Sequence, residues 1–180
     1  PGIEDFTKLL DLGASGWEVI DKSGGRAFFG QTVASQVPDP NDSSRVFRWA
    51  LDKMLDVHGN TLTISYAPVD SWRQLYPSRI RYTAHEVQGV EDLAAANQVD
   101  FVWEERPDDE TGYRAGFSIG IDKRLQRVET YATVDGALAL ARRYELAYTT
   151  SARTNRSLLS SVTTVGSDGL TSLPPVTFSY

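Results

Sequence analysis

The chain contains no cysteine, two histidines and one methionine. Without cysteine there are no disulfides, thiolate metal sites or cysteine nucleophiles. With so few histidines, a zinc site or a Ser-His-Asp triad would have to be built on His58 or His85. Basic residues are also short: 18 Lys and Arg stand against 24 Asp and Glu, a net charge of −6. They are scattered, whereas a nucleic-acid surface needs them clustered, so nucleic acid is not an expected partner. Adhesion to anionic membrane is disfavoured on the same ground. No apolar run approaches the length of a membrane span, and no signal-peptide pattern opens the chain, so direct membrane insertion is not expected.

What is present is ordinary for a globular protein: 41% hydrophobic and 23% charged residues in 180. A chain of that length can bury roughly 70% of its unfolded surface, enough for one core without covalent staples. Residues 45–66 carry the clearest local signal. Phe47, Trp49, Leu51 and Leu55 share one parity, and Arg48, Asp52 and Asp56 the other. Leu62, Ile64 and Tyr66 then alternate with Thr61, Thr63 and Ser65. A period of two predicts strands with one buried and one wet face. His58-Gly59-Asn60 between them supplies residues that tolerate positive φ, so the stretch reads as one hairpin.

Trp17 to Gly30 is a second hairpin around Lys22-Ser23-Gly24-Gly25. Residues 37–44, with Pro38, Pro40, Asn41 and Asp42, read as a loop, as do residues 106–112. Strands are expected over 76–83, around Val99, Phe101 and Trp103, within 113–131, over 157–165 and over 176–180. Residues 137–148 are Ala- and Leu-rich like a helix, yet Leu138, Leu140, Tyr144, Leu146 and Tyr148 share a parity. Strand is preferred from Arg142 onward. Residues 3–12 read as a short helix. The fold class is therefore all-β: mostly antiparallel strands and hairpins in a shell- or sandwich-like sheet, with a short N-terminal helix. Residues 1–180 form a single β-rich region, expected to be a piece of a longer protein. A loose unit recurs in it, a Gly-containing polar turn followed by a strand ending in Tyr, at Val57…Tyr66 and Ser167…Tyr180.

Candidate chemistry is sparse. His58 reads as a solvated turn residue, and His85 lies in a polar stretch. Glu104-Glu105 and Asp108-Asp109-Glu110 offer carboxylate pairs, but a glycosidase needs them opposed across a substrate, and adjacent acids beside Pro107 and Gly112 read better as a solvated loop. The same run lacks the spacing of a calcium loop. Gly112, Gly116 and Gly120 recur every four residues in a segment that reads as strand, where glycine marks a bulge or close approach and not a phosphate cradle. Trp17, Trp49 and Trp103 follow the parity of apolar neighbours and are expected in the core. Trp72, in a loop, is the one candidate for stacking on a sugar. Asn41-Asp42-Ser43 and Asn155-Arg156-Ser157 match the glycosylation triplet, which matters only in a eukaryotic secretory pathway. No catalytic, cofactor-binding or metal-binding residue is assigned, and no cofactor is expected.

The motifs in order carry a resemblance. They run Trp17-Glu18-Val19…Asp21-Lys22…Gly24…Phe28-Phe29-Gly30, then Arg48-Trp49…Asp56…His58-Gly59-Asn60…Ser65-Tyr66, then Tyr76-Pro77-Ser78-Arg79-Ile80-Arg81-Tyr82-Thr83. Arg143-Tyr144-Glu145-Leu146-Ala147-Tyr148, Ser157-Leu158-Leu159-Ser160 and Gly166-Ser167-Asp168-Gly169…Leu173-Pro174-Pro175-Val176-Thr177-Phe178-Ser179-Tyr180 complete them. This succession, from Trp17 to Tyr180, resembles the SpvB-like N-terminal region of bacterial Tc-toxin B components and related RHS (YD-repeat) proteins. The resemblance implies a non-enzymatic shell segment of a secreted bacterial toxin, made in the cytoplasm before export. Its partners would be the rest of the toxin chain (a β-propeller after this region and a YD-repeat shell), an encapsulated C-terminal toxic cargo and a translocation channel. A β-rich carbohydrate-binding or adhesion module, resting on Trp72 and the tyrosines, is the alternative, and a hydrolase using Glu104 or Glu105 comes third.

Overall fold

The structure, a computed structural model, describes residues 7–180. Fourteen strands follow one another: β1 (Lys8–Asp11), β2 (Trp17–Ile20), β3 (Arg26–Phe29), β4 (Gln36–Asp39), β5 (Asp42–Trp49), β6 (Leu51–Leu55), β7 (Asn60–Tyr66), β8 (Pro77–Val87), β9 (Val90–Leu93), β10 (Asn97–Gly112), β11 (Ile119–Val134), β12 (Ala137–Thr150), β13 (Ser157–Val165) and β14 (Val176–Thr177). Twelve form one sheet in the order β1-β2-β3-β6-β7-β8-β10-β11-β12-β13-β14, with β9 beside β8, while β4 and β5 pair apart. Every pairing is antiparallel. The all-β expectation therefore holds. The helix expected over residues 3–12 is not shown: Lys8–Asp11 is a strand paired with β2, and residues 3–6 lie outside the described residues.

The two expected hairpins are built on one turn. Asp21 and Asp56 each accept, through Oδ1, the N–H groups two and four residues on. Gly24 and Gly59 donate back to the Asp carbonyls and take positive φ, +89° and +90°. This is a type I turn closed by a left-handed residue, a geometry that suits glycine. The first arm of the 45–66 unit is shorter than its alternation implies. The N–H and carbonyl of Ala50 bond to Ser35 and Gly30, and before it Arg48 and Trp49 pair with β4, not β7. Residues 37–44, read as loop, are thus most of a hairpin whose Pro38 sits at a register shift. Residues 106–112 likewise complete β10, with an irregularity between Glu105 and Glu110. Residues 137–148 are strand throughout, because the ladders with β11 and β13 outweigh the helix propensity of Ala and Leu.

The sheet is one layer thick over most of its span. Among the described residues four hydrophobic side chains are buried (Val37, Tyr76, Ala84 and Val165), against six polar or charged ones. The accessible surface is 11579 Å² at 19.9 kDa, where a compact monomer of that mass exposes about 8,700 Å².

Candidate functional site

Residues paired directly across strands share a face, so the registers sort the side chains. One face carries the row Val19–Ala27–Met54–Leu62–Tyr82 across five strands. Ile64–Ile80–Val99 and Phe101–Val128–Tyr144 continue it. None of these side chains is fully buried, and Met54 is 48% exposed. A groove of about 410 Å³ lies along Val19, Ala27, Met54 and Leu62, rimmed by the Asp21 and Asp56 turns. The opposite face is polar: Lys53–Thr63–Arg81–Gln98 and Ser65–Arg79–Asp100–Glu129–Arg143 are cross-strand rows. Arg79 grips Asp100 through two bonds of 2.7 and 2.9 Å, and Lys53 pairs with Glu86. A single-layer sheet with one open apolar face and one ion-paired face, on which Glu18 and Gln98 are buried, is a wall.

The wall is latched at its splaying ends by a repeated clasp. The hydroxyls of Tyr66, Tyr148 and Tyr180 donate to the carbonyls of Leu51, Leu125 and Leu159, at 2.9, 2.6 and 3.0 Å. The respective ladders end at Lys53↔Thr63, Arg127↔Glu145 and Ser161↔Thr177. In all three, the leucine lies two residues before that last pair and the tyrosine three after it. The recurring strand that ends in Tyr thus has a physical content: the phenol reaches across where backbone pairing stops.

The residues singled out by sequence are distributed as follows. His58 supplies its backbone, not its ring: its carbonyl lies 2.8 Å from His85 Nε2. His85 Nδ1 lies 2.6 Å from Asp92 Oδ1, so this imidazole ties the Gly59 turn to β9. The Asp92 carboxylate first, and the His58 carbonyl second, favour the imidazolium and raise its pKa. Glu104 pairs with Arg124 at 2.6 Å and Glu105 approaches Lys123 at 3.5 Å. As neighbours on one strand the two acids point to opposite faces and do not converge on a substrate. Asp108 is bound by Arg106 and by the backbone and hydroxyl of Ser157, which holds its carboxyl well below the usual range. Among the described residues no group of three or more His, Asp or Glu is placed to hold a metal ion. No described helix is long and apolar enough to cross a membrane.

Trp72 is half-buried and lies on Gly120, where an added Cβ would meet its ring at 2.2 Å. The Gly120 N–H also bonds the Trp72 carbonyl at 2.7 Å. The close-approach reading holds for Gly120 but not for Gly112 or Gly116, which meet no close neighbour, Gly116 lying in a turn at φ +84°. The indole packs against backbone instead of standing free for a sugar. Trp49 covers Gly30 in the same manner and meets Trp17 edge-on at 6.1 Å. Two polar centres escaped sequence reasoning. Asp52, assigned to the wet face, is 6% exposed because the segment Thr32–Ser35 folds over it. It accepts bonds from the Gln31 N–H and the Thr32 and Ser35 hydroxyls. The Tyr76 hydroxyl donates to Asp122 and accepts the N–H groups of Asp122 and Lys123. Both join residues far apart in sequence, and no local pattern marks them.

The structure defines a class first, a single-layer antiparallel meander latched by tyrosines. Residues 2–90 match the family described as Salmonella virulence plasmid 65kDa B protein, SpvB. The SpvB-like resemblance carried by the ordered motifs is thereby borne out. The fold is that of the N-terminal domain of effector protein SpvB from Salmonella typhimurium strain LT2, with TM-score 0.70 and 18% identity over 83% of this chain and 60% of that one. It recurs in the Photorhabdus luminescens Tc holotoxin pore, with TM-score 0.75 and 19% identity over 91% of this chain and 10% of that one. The TcdB2-TccC3 crystal structure matches at TM-score 0.76 and 18% identity over 99% of this chain and 11% of that one. The chain thus spans 60% of the solved SpvB domain and about a tenth of the Tc-toxin chains it matches. Comparison with curated proteins by sequence gives no match.

Proposed function

We propose that this chain is a non-enzymatic wall segment of a secreted Tc/RHS-type toxin, helping to enclose and deliver a C-terminal toxic polypeptide. The observation that carries the proposal is the open single-layer sheet. With about a third more surface than a compact monomer and an uncovered apolar face, it is built to be completed by other parts of a larger protein. The match to a Tc holotoxin over nearly all of this chain and a tenth of that one supports the same reading. On this reading the partners are the rest of the toxin chain, with a β-propeller following this region, the enclosed cargo and a translocation channel. Ion-paired or packed acids and a tryptophan lying on backbone fit a structural role better than catalysis or sugar binding.

Protease protection tests the proposal. The C-terminal polypeptide should survive in the full-length toxin long after the same polypeptide made alone has been digested. Equal digestion rates would end the encapsulation reading. Asp- and Gly-rich propeller repeats directly after Tyr180 are expected in the full-length sequence, and an unrelated domain there would remove the proposed arrangement.

A further inference from the structure

We infer that the groove between β5 and the β10–β11 tip is a docking surface for an extended acidic polypeptide segment bearing an aromatic side chain. The groove encloses about 280 Å³ and is walled by Phe47 and Arg48 of β5, by Arg114, and by Ile119 and Ile121 of β11. Phe47 meets Phe117 edge-on at 6.1 Å, Arg73 lies over Phe117 at 5.9 Å, and Arg48 over Phe47 at 5.9 Å. The result is a continuous ladder of guanidinium, ring, ring and guanidinium.

Charge identifies the occupant. The chain has six more acids than bases, and most of its cations are consumed by ion pairs. Among the described residues Arg48, Arg73 and Arg114 pair with no carboxylate. Arg48 bonds the Gln74 amide oxygen, Arg73 a backbone carbonyl, and Arg114 nothing. Among the described residues the one acid lining the groove, Glu110, is paired with Arg156 at 3.0 Å. Three unspent guanidiniums beside the exposed Phe47 ring and the half-buried Phe117 ring on an acidic protein are complementary to carboxylates flanking an aromatic side chain. The ring would enter against Ile119 and Ile121, and the acids would meet Arg48 and Arg114. Among the described residues β5 pairs only with β4, so its other edge leaves backbone groups for an extended partner. A single-stranded nucleic acid is disfavoured, because it needs cations tracking a backbone over several nucleotides and this patch is short. The inference concerns this groove alone and does not depend on the wall function.

The test is fluorescence anisotropy of the chain with a fluorescein-labelled peptide, Glu-Asp-Phe-Glu-Asp-Phe-Glu, at low salt. Saturable binding with Kd of about 10–100 μM is expected. It should weaken about tenfold in Arg48→Ala/Arg114→Ala, and as much when the peptide phenylalanines become serines. Arg114→Ala alone removes no intramolecular bond, so it should keep the wild-type melting curve while weakening binding about threefold. Arg142→Ala/Arg153→Ala, which removes two exposed cations outside the groove, should leave affinity unchanged. Any one of four results overturns the inference: no saturation by about 1 mM, wild-type affinity in the groove variants, equal loss in the Arg142/Arg153 variant, or tighter binding of an oligothymidylate of equal charge.

Discussion

Replacing Gly59 with valine attacks the fold at a point where three elements meet. The residue sits at φ +90°, where a side chain with a Cβ costs about 1–2 kcal/mol and a β-branched one fares worst. There is also no room: the new Cβ would lie 2.5 Å from the Glu86 carbonyl oxygen and 2.6 Å from His85 Nε2. The Gly59 carbonyl accepts the Glu86 N–H at 2.9 Å, so the turn cannot retreat without breaking its contact with β8. Overpacking of this kind costs about 1–3 kcal/mol, giving a total near 3 kcal/mol. For a chain of this size that is a fall in Tm of roughly 10 °C. His58→Ala is the matched control, because among the described residues the His58 ring has no hydrogen-bond partner and only its backbone is used. It should stay within about 0.5 kcal/mol of wild type. Paired urea melts measure both. A stable Gly59→Val variant, or an equal loss in His58→Ala, would refute the account of the turn.

Three further outcomes follow from the same geometry. Tyr148→Phe removes the hydroxyl bound to the Leu125 carbonyl and should cost about 1 kcal/mol by urea melt; no loss would show the clasp to be incidental. Asp108→Asn breaks a carboxylate 6% exposed beside Arg106 and should cost about 3 kcal/mol. Because the folded state lowers that carboxyl's pKa, its stabilisation is complete above the ordinary carboxylate range and lost as pH falls through the folded value. The pH dependence of the melt should therefore flatten on the acid side in the variant. His85 has the opposite sign: its pKa is raised, so its contribution is whole below the unfolded value and lost as pH rises through the folded one. An imidazole titration by NMR should move down in Asp92→Asn, and an unchanged midpoint would deny the contact.

Where signals were local, the sequence was readable. Asp21…Gly24-Gly25 and Asp56…Gly59-Asn60 specify their turns within five residues, and β13 needed only its own parity. Alternation, however, does not name a partner. Phe47 and Trp49 continue the parity of Leu51, yet the chain passes at Ala50 from the β4 ladder to the β7 ladder. Pro38 and Pro40 argued for loop; Pro40 does lie in the turn between β4 and β5, but Pro38 sits in β4 at a register shift, which a short two-stranded pair tolerates. The Asp108 run looked solvated because its partner, Ser157, lies 49 residues on. Separation along the chain also hides Asp52 under Thr32 and Ser35, 20 and 17 residues before it, and the Arg48–Phe47–Phe117–Arg73 ladder joins three separate segments. The buried polar centres and the arginine-lined groove exist only after the meander has formed.

The central claim, that the open sheet is completed by the remainder of a larger toxin, is tested most directly at Met54. It is the only methionine in the chain, stands mid-row on the apolar face and is 48% exposed. Its conversion to sulfoxide by dilute peroxide, followed by mass spectrometry, reports access to that face. In the 180-residue chain alone oxidation should be fast, and in the full-length toxin it should slow by about tenfold. Equal rates in the two would mean that nothing covers the face, contradicting the account.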